Sequence, residues 1–171
     1  MQDAKRNNKR PRFTISGNAI HREQQSPFRY CGGKHYALKH LLPFINCVPH
    51  DEFREPFVGG GSVFFAKQKA AHNWINDLEP DLIKTYRVIA NPRQRQKLRK
   101  RLASEVATRE RHAEIKDMRA TRILDIAFKT YYLTRTSYSG IIHVPAWGYR
   151  GATSANGATP VQIMGYQKPF C

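Results

Sequence analysis

A chain of 171 residues is long enough for one domain, and its 40% hydrophobic content supplies a modest core, most simply a single α/β unit. Its 29 Lys and Arg against 13 Asp and Glu leave a formal charge of +16, which repels itself in a compact body and calls for a polyanionic partner, nucleic acid first. Composition excludes a disulfide scaffold and a cysteine metal knuckle, because Cys31, Cys47 and Cys171 stand far apart, and no apolar run is long enough to cross a bilayer. The opening "MQDAKRNNKRPRF" is charged where a signal peptide would be apolar, so the reading is a cytoplasmic protein with reduced thiols.

Residues 1–26 carry too little apolar content to offset the entropy of ordering and are predicted to form a mobile basic arm. From Pro27, "PFRYCGGKHYALKHLLPFI" reads as a Gly-Gly turn and a short helix, with Leu38, Leu41 and Leu42 on one side and a stop at Pro43. "DEFREPFV" alternates as a strand, three glycines follow, and "SVFFAKQKAAHN" reads as a helix. "NWINDL" is a second strand and "EPDLIKTYRVI" a helix whose Pro80 sits in the first turn, where a missing N–H does no harm. Between Pro92 and Gly140 there is neither proline nor glycine, and Leu98, Leu102 and Val106 recur at a helical interval, which predicts a block of two helices. The first of them, "RQRQKLRKRLASE", is densely basic, either a phosphate-facing surface or a solvated face. "FKTYYL" reads as core of this block, with Tyr131 and Tyr132 packed, and "GYRGATSANGATP" as a small-residue loop.

Strand, glycine turn, helix, and a strand ending in an acid make the front half of a Rossmann-like unit, and Asp77 follows Gly59 by eighteen residues, near the usual spacing of about twenty. A dinucleotide site wants G-x-G-x-x-G, whereas Gly59-Gly60-Gly61 runs into Ser62, Val63 and Phe64. A Walker loop is excluded because no Lys-Ser or Lys-Thr follows the glycines. A ligand without phosphates fits better, and S-adenosylmethionine fits an acid such as Glu55 beside exposed backbone. A purely structural tight turn is the alternative.

"RYCGGKHYALKHLLPFI", "EPFVGGGSVFF", "INDLEPDLIKTYRVI" and "YYLTRTSYSGI" stand in the order and approximate spacing of the Dam-type, adenine-specific DNA methyltransferases, and together this stretch, Pro27 to Ile141, resembles that family. The resemblance implies an α/β, Rossmann-like class I S-adenosylmethionine-dependent methyltransferase fold, here incomplete, with a helical target-recognition insert. Residues 27–92 would be the cofactor-binding α/β part and 93–171 a truncated recognition part. It implies cofactor contacts from Tyr30, Lys34, Glu55, Phe57, Gly59, Gly61 and Asp77, the last on the ribose hydroxyls. The chain departs from the family pattern at Tyr30, usually Trp, at Cys31, commonly Ala, and at Gly60, commonly Ala. Thr134 to His143 resembles the start of the segment that reads double-stranded DNA. There Arg135 would pair with a phosphate and Tyr138 stack on a base or fill the gap left by a rotated-out adenine, while Ser139 and His143 reach base edges or backbone. The transfer this implies is a direct displacement that needs no metal.

The family's catalytic signature, Asp or Asn followed by Pro-Pro-Tyr or Pro-Pro-Phe, does not occur in these 171 residues, and "NPRQ" at Asn91 is the nearest string. The chain therefore looks like the amino-terminal portion of a methyltransferase, inactive alone, with no catalytic residue of its own to name. Strands expected later in the sheet would be missing, which predicts an exposed edge and a need for a complementing chain. A non-catalytic DNA-binding or regulatory remnant is the alternative.

Overall fold

The computed structural model describes residues 26–148. All but the last residue of the basic arm, the loop beyond Gly148 and Cys171 lie outside the described residues. A 3-10 turn, Lys34–Ala37, leads into α1 (Leu38–Cys47), followed by β1 (Glu52–Glu55), α2 (Ser62–Ala66), β2 (His72–Ile75) and α3 (Pro80–Ala90). Three further helices, α4 (Pro92–Ala103), α5 (Arg109–Asp117) and α6 (Ile123–Thr136), precede a second 3-10 turn at Tyr138–Gly140.

β1 and β2 pair in parallel, from Glu52 opposite His72 to Glu55 opposite Ile75, with α2 in the crossover. Alternation along β1 half-buries Phe53 and Glu55 on one face, while Glu52 and Arg54 are exposed beside His72 and Trp74 on the other. The architecture is thus helices with a small parallel sheet.

Both strands are shorter than the sequence reading, and three features of the helices differ from it. Pro43 does not stop α1 but lies inside it. A proline forfeits one helical hydrogen bond, and here buried Leu42 and half-buried Leu38, Leu41 and Ile45 keep the helix seated where it meets α2. α2 ends at Ala66, seven residues before the predicted end at Asn73, because Lys67 turns extended and folds inward. Its Nζ donates to the Gln68 carbonyl at 2.6 Å and to Asn73 Oδ1 at 3.2 Å and stands over the Phe53 ring. That bend brings His72 back to donate to the Asp51 carbonyl at 2.8 Å, where the parallel ladder begins. The block after Pro92 holds three helices, not two: α4 stops at Ala103, Val106 is exposed in the connection, and the Thr108 hydroxyl caps α5 by accepting the Arg111 N–H at 3.1 Å.

α3 and α6 form the centre of the core, where Leu82, Val88, Ala127 and Phe128 are fully excluded from solvent. Leu98 and Leu102 from α4 and Ile115 from α5 join them, each worth roughly 1.5–3 kcal/mol on burial. Tyr131 and Tyr132 pack here as expected, the Tyr132 hydroxyl donating to the Val106 carbonyl at 2.7 Å. Phe28 and Val58 belong to the same cluster, so the glycine turn after β1 is anchored directly to the helices.

Candidate functional site

The chain leaves β1 through Val58, whose N–H donates to the Asn76 carbonyl at 2.9 Å, and turns at once as the Gly61 N–H returns to the Val58 carbonyl at 2.7 Å. Gly59 and Gly61 hold left-handed φ angles of 48° and 73°, which side-chain-bearing residues rarely adopt. A Cβ at Gly60 would stand 2.9 Å from Tyr30 Cβ, and one at Gly61 would stand 2.8 Å from the Tyr86 hydroxyl. Bare backbone is therefore demanded by the turn and by two tyrosines pressed against it. Asp77 braces the same turn: Oδ2 accepts the Gly59 N–H at 2.8 Å and Oδ1 the Glu79 N–H at 3.1 Å. From the other side the Tyr86 hydroxyl donates to the Gly59 carbonyl at 2.8 Å. Burial, aided by the negative charges of Glu55 and Asp77, pushes the Tyr86 phenol far up, so it stays a donor.

Glu55 closes the floor. Its Oε2 is buried and has no hydrogen-bond partner among the described residues. Burial raises its carboxyl above the ordinary range, against the Phe64 N–H and the positive charges of Lys34 and Lys67. An orphaned buried carboxylate oxygen is the complement of a cationic ligand group.

Tyr30, Lys34, Glu55, Phe57, Gly59, Gly61 and Asp77, the seven residues predicted to meet the cofactor, all line one cavity of about 240 Å³. Phe57 and Leu78 are exposed at its rim, just past the carboxyl ends of β1 and β2, where open α/β sheets take their ligands. The residues thus fit an S-adenosyl group: a carboxylate for the cationic end, a carboxylate near a glycine turn, and apolar rims for a flat ring.

A second cavity of about 740 Å³ shares the wall formed by Tyr30, Cys31, Gly32, Gly33 and Ser62. Arg135, Tyr138 and Ser139 line it, carried on the end of α6 and the turn after it. Tyr138 is exposed, and Ser139 takes a left-handed φ of 52°. The loop is held by a Ser137–Trp147 bridge and by the Tyr138 N–H donating to the Ala146 carbonyl at 2.9 Å. A Cβ on Gly140 would run into the Arg29 carbonyl, so this loop docks against the strand of chain that leads to Tyr30. His143 lines neither cavity; its Nε2 lies 3.3 Å from Glu79 Oε2 on the exposed side of α3's start.

Two residues of the site have no sequence signal. Tyr86 reaches back 27 residues to Gly59 from a helix whose apolar face hides it among core positions. His112 is buried behind the loop, Nδ1 2.8 Å from Thr136 Oγ1 and Nε2 3.5 Å from the Pro145 carbonyl, with the Trp147 ring edge-on. Burial lowers its pKa, against the bond to Pro145, while these contacts brace the loop. Among the described residues no cluster of His, Cys, Asp or Glu could hold a metal ion, and no helix is long and apolar enough to cross a membrane.

Residues 30–156 match the family model of D12 class N6 adenine-specific DNA methyltransferases. A type II methyltransferase of Paramecium bursaria Chlorella virus NC1A is 29% identical over 117 residues, which is 67% of this chain and 44% of the relative. A type II methyltransferase of Lactococcus lactis subsp. cremoris is 32% identical over 127 residues, 69% of this chain and 43% of the relative. The chain spans less than half the length of these two relatives. With the family model covering most of its length, and with a glycine-turn cavity adjoining a second one faced by Tyr138, the chain belongs to the D12 class N6 adenine-specific DNA methyltransferases.

Proposed function

We propose that this chain is the cofactor-binding and target-recognition portion of an enzyme that methylates the exocyclic amino group of adenine in duplex DNA, acting in the cytoplasm. The reading is carried by one observation: the orphaned Glu55 carboxylate and Asp77 face a single cavity across a left-handed glycine turn, against a wall shared with the Tyr138 cavity. S-adenosylmethionine, when bound, supplies an electrophilic methyl group on a sulfonium. Glu55 holds the cationic end, Phe57 and Leu78 cover the flat ring, and Asp77 accepts the ribose hydroxyls with lone pairs left over from the Gly59 and Glu79 N–H groups. Tyr138 offers a stacking face worth about 1–3 kcal/mol per base, beside Arg135 for a phosphate and Ser139 for a polar edge. β1, α2, β2 and α3 then form the front of a class I methyltransferase sheet, with residues 93–171 as the recognition insert.

No residue of this chain supplies the Asp/Asn-Pro-Pro-Tyr/Phe group that would orient the adenine amino nitrogen, so transfer requires a segment outside these 171 residues or a complementing chain. The charge of +16 would equally suit the second reading, a DNA-binding or regulatory remnant. Calorimetry with S-adenosylmethionine tests the pocket. Asp77→Ala is expected to weaken binding by about 10- to 100-fold, the loss of hydrogen bonds to a charged group. Equal affinities, with circular dichroism unchanged, would reject the assignment of Asp77.

A further inference from the structure

We propose that the exposed face of α4 is a second holding surface for duplex DNA, gripping phosphates through Arg93, Lys97 and Lys100. This rests on the DNA-directed reading above and adds a contact that lies outside both cavities. The three residues stand at i, i+4 and i+7, all exposed, opposite the buried Leu98 and Leu102. They form one stripe about 10 Å long.

Like charges at these spacings destabilise a helix, and Arg93 sits in a first turn that contains no acid, where the macrodipole also disfavours a cation. Several other cations of the chain are relieved within it. Arg54 pairs with Glu52, Lys84 with Asp81, Arg101 with Asp125, and Arg111 with Glu105 and Glu114. Among the described residues no ion pair reaches Arg93, Lys97 or Lys100. Outside residues 26–148 the sequence offers only Asp3 and Glu23 as acids. On this proposal a polyanionic partner supplies the compensating charge. Three long side chains strung along a helix, with no buried cradle between them, match a row of phosphates and not a single small anion.

α4 contributes no residue to either cavity. Contacts of this kind position the duplex without reading sequence.

The test is a salt series of fluorescence titrations of the 171-residue chain with duplex DNA. Removing three phosphate contacts in an Arg93→Gln, Lys97→Gln, Lys100→Gln variant is expected to make the slope of log affinity against log salt shallower by about 2–3. The change is expected to be equal on unrelated duplex sequences, with S-adenosylmethionine affinity as in the wild type. A control that removes the same charge from another surface, Arg109→Gln, Lys116→Gln, Arg119→Gln, is expected to change the slope by less than about one. An unchanged slope in the α4 variant, an equal change in the control, an effect confined to duplex RNA, or no DNA binding by the wild type would each overturn the proposal. Cofactor binding that still depends on Asp77 would leave the proposed function standing in the first three cases, whereas no DNA binding by the wild type would count against its DNA-directed part too.

Discussion

At the residue scale the site turns on Glu55, whose buried Oε2 lacks a partner. Because burial raises its carboxyl pKa in the folded chain, the folded state binds the proton more tightly than the unfolded one. The resulting stabilisation is complete below the ordinary carboxylate range and is lost as pH rises through the folded pKa, so at neutral pH the ionised group works against the fold. Glu55→Gln removes that charge with little change of shape. It is expected to raise the melting temperature at pH 7 by about 2–4 °C, the shift for about 1 kcal/mol in a chain of this size, and to flatten the pH dependence. The same change is expected to weaken S-adenosylmethionine binding, since a neutral amide does not complement a cation. Thermal melts from pH 4 to 8 alongside calorimetry measure both, and a variant that loses stability at neutral pH would contradict the orphaned-carboxylate reading. That Glu55, Gly59 and Asp77 share one cavity is legible in the sequence because their spacing along a strand, glycine turn and strand is local. The part of Tyr86 is not, since a hydroxyl reaching from α3 to a glycine 27 residues earlier leaves no trace in periodicity.

Elements begin and end where backbone groups find partners, and Asn91 shows how much that decides. Its N–H closes α3 on the Arg87 carbonyl at 3.2 Å, while its side-chain oxygen opens α4 by accepting the Gln94 N–H at 3.0 Å, with Pro92 as the next residue. "NPRQ", the string nearest to the catalytic signature, is thus a helix junction. Asn91→Ala is expected to cost about 1 kcal/mol and lower the melting temperature by about 2–4 °C. Asn91→Asp is expected to match or exceed the wild type, because an acid at this cap faces the positive end of a helix with no acid in its first turn. Denaturant melts of both variants decide it: an alanine variant as stable as the wild type, or an aspartate variant as weak as the alanine, would show that the cap is idle. α3 was read almost to the residue because Pro80 and its apolar face agree. α1 and α2 were misread because tertiary demands prevailed over local signals, apolar packing carrying α1 past Pro43 and the return to β2 ending α2 early.

For the molecule as a whole, the helices are better finished than the sheet. α3 to α6 share a closed core, yet β1 and β2 pair with no third strand among the described residues. Parallel sheets occur almost only with both faces covered. Here Trp74 is 48% exposed on the open face, and Phe44 and Val48 of the neighbouring segment are 76% and 61% exposed. Unpaired edges and uncovered aromatics of this kind promote association and weaken cooperativity. The chain spans under half the length of its two relatives, and on the reading proposed above a polypeptide carrying the remainder of such a domain would cover this surface and supply the motif. Co-expressing that remainder, taken from the Lactococcus relative beyond the matched segment, is expected to raise the melting temperature and sharpen the transition, as any partner of the native state does. Adenine methylation of duplex DNA is expected only in the complemented sample. A cooperative melt of the chain alone at low concentration, unchanged by the partner, would show that the two strands need no completion. A complemented sample that melts higher but transfers no methyl group would favour the non-catalytic reading, because the fold would then be whole and the chemistry still absent.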